Sequence, residues 1–344
     1  ANTLVDLQVD GVLTSTLNIS GGSDLTIEAA LDSLITTINA SALEGAFTLD
    51  LDPGATNFTL VGGSGADTFS AIGAGNTNIS GGAGNDTVNY TTTFDGSDTI
   101  DGGDGVDNVT ISGANYTNAG LSSTVFGNMT NVEQITIGSA HSLTLSSNIS
   151  ATTFDTQTAS AQTLNLNDGY TAATTVIIGT DTGSTDNIIN NANVDLTVQA
   201  NNGSISALTD IEGSLGLNDV LNIVNTANGT SAFDANNDVF ETINLVPFTS
   251  GAAPAITTGA YTLGATGGNL TINANTLTAL EVVTITGTQS ATPMDIKTGA
   301  ASDNVTLGTL ADTLDAGAGN DIIDGTAGTN VITAGAGNDT ISLG

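Results

Sequence analysis

The sequence predicts a mainly β protein, a parallel β-roll or β-helix solenoid, and three observations support this prediction. Five nine-residue segments follow one another without interruption over residues 298–342, and short repeats of constant length are typical of stacked coils. Many short runs of alternating β-branched residues lie upstream. Only 4% of the residues are aromatic, which suits a thin core of Val, Ile, Leu and Ala.

The nonapeptides share the pattern G-G-x-G-x-D-x-U-x, where U is a large apolar residue. Residues 62–70, 81–89 and 102–110 fit it at every fixed position, whereas the last block varies more and has Asn330 in place of one aspartate. Glycine allows a tight turn, the aspartate presents oxygen ligands of the kind that Ca²⁺ prefers, and U starts a strand. A flexible Gly/Asp-rich linker is the alternative, and the fixed register argues against it.

We predict four parts along the chain from changes in composition and spacing. They are an N-terminal α/β module or cap (1–61), a first β-roll block (62–110), an irregular parallel β-helix (111–297) and a second β-roll block (298–344). The second block is regular in spacing, whereas the repeat positions of the first lie 9 to 12 residues apart. Small loops must therefore interrupt the first block.

The N-terminal part contains one segment with helical periodicity, residues 26–40. Its apolar residues share one face at helical spacing, and Glu28 lies in the first turn, where the helix dipole favours an anion. These apolar residues are Ile27, Leu31, Leu34, Ile35 and Ile38. We expect a helix that caps the solenoid, with a partner-binding helix as the alternative and strands over 12–19 and 46–52 on either side.

The middle part is rich in Thr, Asn and Ser and contains seven short alternating segments that predict strands. They are 142–146, 163–167, 174–178, 195–199, 220–224, 269–273 and 282–286. Irregular coils of a parallel β-helix account for them, and a β-sandwich is the alternative.

A second pattern, U-E-x-U-x-U, recurs in the middle part. Its glutamates are Glu133, Glu212, Glu241 and Glu281, the second of them in an out-of-step copy. They are either additional Ca²⁺ ligands at strand starts or recurrent coil corners with an exposed carboxylate. A further stretch, Asp234-x-Asn236-x-Asp238, alternates oxygen ligands but lacks the glycine and distal glutamate of an EF-hand.

The charge balance excludes several classes of partner. The 344 residues carry a formal net charge of −34, with 35 acidic residues and Lys297 as the single base. Binding to a phosphate backbone or to anionic lipid needs Lys and Arg, so we expect no nucleic-acid partner. Divalent cations would relieve the self-repulsion of such a chain. No run approaches the ~20 apolar residues of a membrane span, and cysteine is absent.

The sequence also argues against catalysis. His141 is the only histidine and there is no cysteine, which removes thiol catalysis and His-rich zinc sites. No H-E-x-x-H metalloprotease motif occurs. We predict that the chain is not an enzyme. A polysaccharide-modifying β-helix enzyme is the alternative, in which Lys297 would have to neutralise an acidic substrate.

The nonapeptides resemble those of the RTX (repeats-in-toxin) family, and the acidic, Cys-free, Thr/Asn/Gly-rich chain looks most like bacterial surface-layer proteins of that family. The resemblance implies several bound Ca²⁺ ions and folding outside the cell after type I secretion. It also implies self-assembly into a surface layer, sheath or filament, with cell-surface polysaccharide as a further partner. The alternative is a fragment of a large RTX adhesin that binds a host or ice surface. Ice binding would require a long flat threonine array.

The resemblance implies metal-binding roles for the repeat aspartates and for the turn glycines before them. The aspartates are Asp67, Asp86, Asp98, Asp107, Asp303, Asp312, Asp321 and Asp339. The glycines are Gly63, Gly65, Gly82, Gly84, Gly103, Gly105, Gly317, Gly319, Gly335 and Gly337. Thr77 and Asn330 depart from the pattern, so their coils are expected to bind weakly or not at all.

Overall fold

The protein is described from a computed structural model. It describes residues 2–4, 15–28, 35–51, 57–72, 75–91, 94–112, 121–138, 142–156, 162–178, 186–192, 194–201, 210–212, 218–224, 230–231, 240–246, 256–258, 269–279, 281–287 and 292–344. The chain divides into two compact units, residues 1–156 and 157–344.

The first unit is a parallel β-solenoid with one short helix among its described residues, α1 (Ser123–Phe126). Its strands are β1 (Asn2–Leu4), β2 (Ser15–Gly21), β3 (Leu25–Glu28), β4 (Ile35–Leu43), β5 (Phe47–Asp50), β6 (Phe58–Val61), β7 (Thr68–Ile72), β8 (Thr77–Ala83), β9 (Thr87–Tyr90), β10 (Thr99–Asp104), β11 (Asn108–Ile111), β12 (Leu121–Ser122), β13 (Met129–Thr130), β14 (Gln134–Ile137), β15 (Ser142–Leu145) and β16 (Thr153–Thr156). One sheet has the order β1-β3-β5-β7-β9-β11-β14-β16 and a second the order β2-β4-β6-β8-β10-β13. From β1 to β11, successive strands therefore alternate between two stacks, whereas β12 and β15 pair with each other in a third.

The second unit is also a parallel β-solenoid. Its strands are β17 (Thr163–Leu166), β18 (Thr174–Ile178), β19 (Asn187–Asn190), β20 (Leu196–Asn201), β21 (Asp210–Glu212), β22 (Val220–Val224), β23 (Thr230–Ser231), β24 (Thr242–Val246), β25 (Ile256–Thr258), β26 (Leu270–Asn273), β27 (Val283–Thr286), β28 (Met294–Lys297), β29 (Asn304–Thr306), β30 (Thr313–Asp315), β31 (Ile322–Gly325), β32 (Val331–Thr333) and β33 (Thr340–Leu343). Three stacks have the orders β18-β20-β22-β24-β26-β28-β30-β32, β17-β19-β21 and β23-β25-β27-β29-β31-β33.

The core of each unit follows from the alternation of side chains along the strands. In β6, Phe58 and Leu60 are buried and the residues between and after them are half-exposed. Each coil lies about 4.8 Å from the next, so like residues stack in rows. The rings of Phe47 and Phe69, one coil apart, meet edge to face with centroids 5.9 Å apart. The predicted solenoid is confirmed, and all seven strands predicted in the middle part are present.

The strand directions remove the β-sandwich alternative. Pairs such as β20 with β22 and β22 with β24 are parallel and in continuous register, whereas sandwiches are built from antiparallel strands. In the second block, residues 18 positions apart occupy the same place in successive coils, as Asn304, Ile322 and Thr340 do. Two nonapeptides therefore complete one coil.

The predicted helix at residues 26–40 is wrong wherever the structure describes the segment. Ile27 lies in β3, which pairs with β1 and β5, whereas Ile35 and Ile38 lie in β4, which pairs with β2 and β6. All three isoleucines are buried, although Ile27 belongs to one stack and Ile35 and Ile38 belong to the other. The helical spacing arose because two strands of different stacks both turn their apolar residues toward the core. Leu31 and Leu34 lie outside the described residues.

Candidate metal-binding turns

The repeat aspartates lie where a turn ends and a strand begins. Asp86, for example, directly precedes β9, and Asp107 directly precedes β11. All of them except Asp339 are 1–2% exposed. Because carboxylates are rarely buried without partners, the groups that contact each carboxylate oxygen indicate its role.

One oxygen of each carboxylate joins a ladder that runs from coil to coil in the first block. The backbone N–H of Phe47 donates to Asp67 Oδ1 (2.7 Å), that of Asp67 to Asp86 Oδ1 (2.8 Å) and that of Asp86 to Asp107 Oδ1 (2.7 Å). Each carboxylate thus reaches back to the preceding coil. The 19- and 21-residue steps fit the irregular spacing predicted for this block.

The second block has two such ladders, one for each nonapeptide of the coil. The first runs from the N–H of Val283 through Asp303 and Asp321 to Asp339, with distances of 2.8, 2.8 and 3.0 Å. The other runs from the N–H of Met294 to Asp312 (2.9 Å) and from Asp312 to Asn330 (3.0 Å). The amide of Asn330 keeps the hydrogen bond but brings no negative charge.

The second oxygens of the repeat carboxylates indicate a cation-binding site. Four of them are buried and accept no hydrogen bond from the protein: Oδ2 of Asp86, Asp107, Asp303 and Asp321. A buried charged oxygen without a partner is costly. In Asp67 and Asp312, by contrast, Oδ2 accepts the N–H of Gly63 and Gly308.

Glycine keeps open the space in front of these oxygens. A Cβ added to Gly81 would collide with both Asp86 Oδ2 and the carbonyl oxygen of Gly102. At Gly102, the same atom would collide with the carbonyl oxygen of Asn131 and lie 2.6 Å from Asp107 Oδ2. Carboxylate and carbonyl oxygens of consecutive coils therefore border one small space.

The first glycine of each G-G pair is a residue that the predicted ligand set omitted. Gly62, Gly81 and Gly102 are fixed in the pattern, which was the available signal. Of the predicted turn glycines, eight adopt positive φ: Gly82, Gly84, Gly103, Gly105, Gly317, Gly319, Gly335 and Gly337. Gly63 and Gly65 hold the same turn with φ outside that region.

These turns fit Ca²⁺ through oxygen alone. Among the described residues no three His, Cys, Asp or Glu side chains converge as a metal site, so carbonyl oxygens must supply most of any coordination shell. Ca²⁺ takes six to eight oxygens, carbonyls included. Asp86 with Gly102, and Asp107 with Asn131, would hold such an ion, and the ion supplies the positive charge that the chain lacks.

Comparison with known proteins agrees with this geometry. The family model of the RTX calcium-binding nonapeptide repeat matches in four copies, at residues 72–89, 92–110 and 306–341. The chain carries RTX calcium-binding repeats. No curated protein and no solved structure matches it. RTX repeat proteins are typically secreted. No helix in the described part of this chain is long and apolar enough to cross a membrane.

One departure from the RTX pattern, Thr77, has a structural explanation on the other stack of the first block. Thr77 occupies the aspartate position, and its N–H and hydroxyl donate to Asp98 Oδ1 at 2.9 and 2.8 Å. The other oxygen, Oδ2, accepts the N–H of Asp95 (2.8 Å). Asp98, although predicted as a ligand, thus has hydrogen-bond donors on both oxygens.

The glutamates of the U-E-x-U-x-U pattern are not exposed corners where the structure describes them. Glu133 and Glu241 are half-buried, and each accepts the N–H of the aspartate one coil earlier, Asp107 (2.8 Å) and Asp219 (2.9 Å). Both therefore stand in the aspartate position of the ladder. Glu281 is 4% exposed and accepts the N–H and hydroxyl of Thr278.

Other predicted features lie outside the described residues. They are His141, the Asp234-x-Asn236-x-Asp238 stretch and the side chain of Glu212.

Burial raises the pKa of several aspartates in these ladders. It raises the pKa of Asp86 from 3.8 to about 7, with the charges of Asp67 and Asp107 adding to the rise. Burial also raises the pKa of Asp67, Asp107, Asp303 and Asp321. The ion-free turns therefore favour neutral carboxyl groups.

We predict that the ion-free protein becomes less stable as pH rises from about 4 to about 7. A raised folded pKa means that the folded state binds more protons than the unfolded state, so its stabilising effect is present below the unfolded value and is lost through the folded one. Thermal unfolding of metal-free protein across this range measures it, and Asp86→Asn should flatten the profile. Asp324→Asn, a half-buried site with a lowered pKa, is the control that should not flatten it. A midpoint that rises steadily up to pH 7.5 would contradict the prediction.

Proposed function

We propose that this protein is a secreted structural protein of the bacterial cell surface. Its solenoid folds when Ca²⁺ binds the repeat turns, and folded copies assemble into a surface layer, sheath or filament. The observation that carries the proposal is the set of buried Oδ2 atoms without hydrogen-bond partners at Asp86, Asp107, Asp303 and Asp321, in a chain of net charge −34.

Folding and Ca²⁺ are linked because the chain contains one base for 35 acids. The carboxylates stack coil on coil at about 4.8 Å, and a bound cation would offset the charge that burial otherwise disfavours. Extracellular Ca²⁺ modules bind at about 10⁻⁴–10⁻³ M, a level met outside cells. Ca²⁺ would thus restrict folding to the place where the protein works.

Assembly is supported by the outer faces of the sheets. Their outward-facing positions carry hydroxyl, amide and carboxylate groups in straight rows, such as the half-buried amide chain of Asn222, Asn244 and Asn273 with hydrogen bonds of 2.9 and 3.0 Å. Glu28 and Asp50 are paired across β3 and β5 and both are exposed. Ca²⁺ would bridge such acidic faces, which otherwise repel one another.

Negative-stain microscopy with Ca²⁺ and then with chelator tests the assembly. We expect ordered sheets or fibres with Ca²⁺ that disperse on chelation, and no assembly with Mg²⁺ at equal ionic strength, because Mg²⁺ gives up its water reluctantly. A folded, Ca²⁺-loaded monomer at every protein concentration would rule out the structural role. We also expect no turnover of alginate or pectin, and turnover would revive the enzyme alternative.

An RTX adhesin is the second candidate, and a row of threonines favours it. Thr26, Thr48, Thr68 and Thr87 lie in register on one sheet, with their side chains on its outer face. This is a longer flat array than the isolated turns visible in the sequence. Ca²⁺-loaded monomers that adsorb to a solid or ice surface without forming sheets would favour the adhesin.

A further inference from the structure

The coil that follows the first repeat block ends in a different kind of turn. β13 pairs with β10, so that Met129 is level with Ile100 and Thr130 with Asp101. β14 then pairs with β11, with Gln134 level with Asn108. The repeat turn from Asp101 to Asp107 is thus replaced by a shorter connection, from Thr130 to Glu133, that lacks glycine.

Asn131 takes the place of a turn glycine in this connection. Its φ is 50°, in the left-handed region that asparagine tolerates better than most residues. Its side chain donates to Asp101 Oδ1 (2.7 Å), which anchors the turn to the preceding coil. Its carbonyl oxygen borders the Cβ position of Gly102, as the carbonyl oxygen of Gly102 borders that of Gly81.

Glu133 takes the place of the repeat aspartate. Its Oε2 accepts the N–H of Asp107 at 2.8 Å, as Asp107 Oδ1 accepts the N–H of Asp86 at 2.7 Å. The extra methylene of glutamate lets a carboxylate reach this position from a shorter turn. Asp107 itself is 2% exposed, and its Oδ2 has no hydrogen-bond partner. That oxygen faces the space that the Asn131 carbonyl also borders.

We propose that Asp107, the carbonyl oxygen of Asn131 and the carboxylate of Glu133 form a Ca²⁺ site that closes the first block. The proposal rests on the Ca²⁺-dependent folding proposed above. Two of its three residues lie outside the segments that match the repeat family. The 131–133 turn acts as a half-site without the glycine pattern, so the block has one more site than its nonapeptides alone would form.

Calcium titration of the whole chain by calorimetry tests this site. Glu133→Gln keeps the shape of the side chain and removes its charge, and it should lose one Ca²⁺ or weaken one site at least tenfold. Asp324→Asn is the control. It removes a carboxylate charge at a residue outside the proposed site, so the number of ions should not change. Equal ion counts and affinities in Glu133→Gln and the unaltered protein would overturn the proposal.

Hydrogen exchange on the unaltered protein tests the site without a variant. Peptides covering 99–110 and 127–137 should gain protection over the same range of Ca²⁺ concentration. If 99–110 responds to Ca²⁺ and 127–137 does not, this site is wrong and the proposed function stands. If neither segment responds and the chain binds no Ca²⁺, the proposed function itself fails.

Discussion

Gly103→Ala is expected to disrupt the first repeat block. Gly103 has a φ of 104°, and an added Cβ would collide with the carbonyl oxygen of Gly82 on the preceding coil. The left-handed backbone and the contact with fixed backbone each cost about 1–3 kcal/mol. Thermal unfolding in saturating Ca²⁺ should show a loss of at least about 2 kcal/mol, with fewer ions bound.

Gly96→Ala is the matched control for this substitution. Gly96 lies in the same block, has no positive φ, and an added Cβ there would meet nothing within 4 Å. Its variant should unfold within about 0.5 kcal/mol of the unaltered protein, as surface changes usually do. Equal stability of the two variants would show that close packing between the glycine turns is not what the fold requires.

The repeat turns and the strands could be predicted from sequence because their signals are local. A nonapeptide carries its turn glycines, its carboxylate and its apolar residue within nine positions. Short runs such as TTVII at 174–178 carry the two-residue alternation of a half-buried strand, and the structure places a strand there.

The N-terminal helix could not be rejected by the same local reasoning. The spacing of Ile27, Ile35 and Ile38 fits a helix as well as it fits two strands of different stacks. The choice between helix and strand is decided by pairing with β1, β2, β5 and β6. These pairs bring together parts of the chain that are distant in sequence. A strand within a parallel stack forms backbone hydrogen bonds with neighbours on both sides. The periodicity of a single segment does not indicate those neighbours.

The role of the glutamates could not be predicted from the sequence either. Glu133 and Glu241 accept backbone N–H groups from 26 and 22 residues away, and coil length in this region varies. Only the register shows that these two side chains stand where the repeats have aspartate. The same register separates them from Glu281, which bonds within its own turn.

Removal of Ca²⁺ is expected to have the largest effect on this protein. Each site adds about 2.7 kcal/mol to the free energy of unfolding when Ca²⁺ is at 100 times its Kd, so several sites together exceed the stability of a typical domain. Without the ion, buried carboxylates face the negative charge of others on neighbouring coils, as Asp86 faces Asp67 and Asp107 and Asp303 faces Asp321. We therefore expect the repeat blocks to be unfolded at neutral pH in excess chelator.

Far-UV circular dichroism during stepwise addition of Ca²⁺ to metal-free protein at pH 7.5 tests this most directly. The account predicts a spectrum of a largely disordered chain in chelator, followed by a cooperative gain of β signal as Ca²⁺ reaches the millimolar range, and reversal on chelation. Full β signal in excess chelator, unchanged by Ca²⁺, would contradict it.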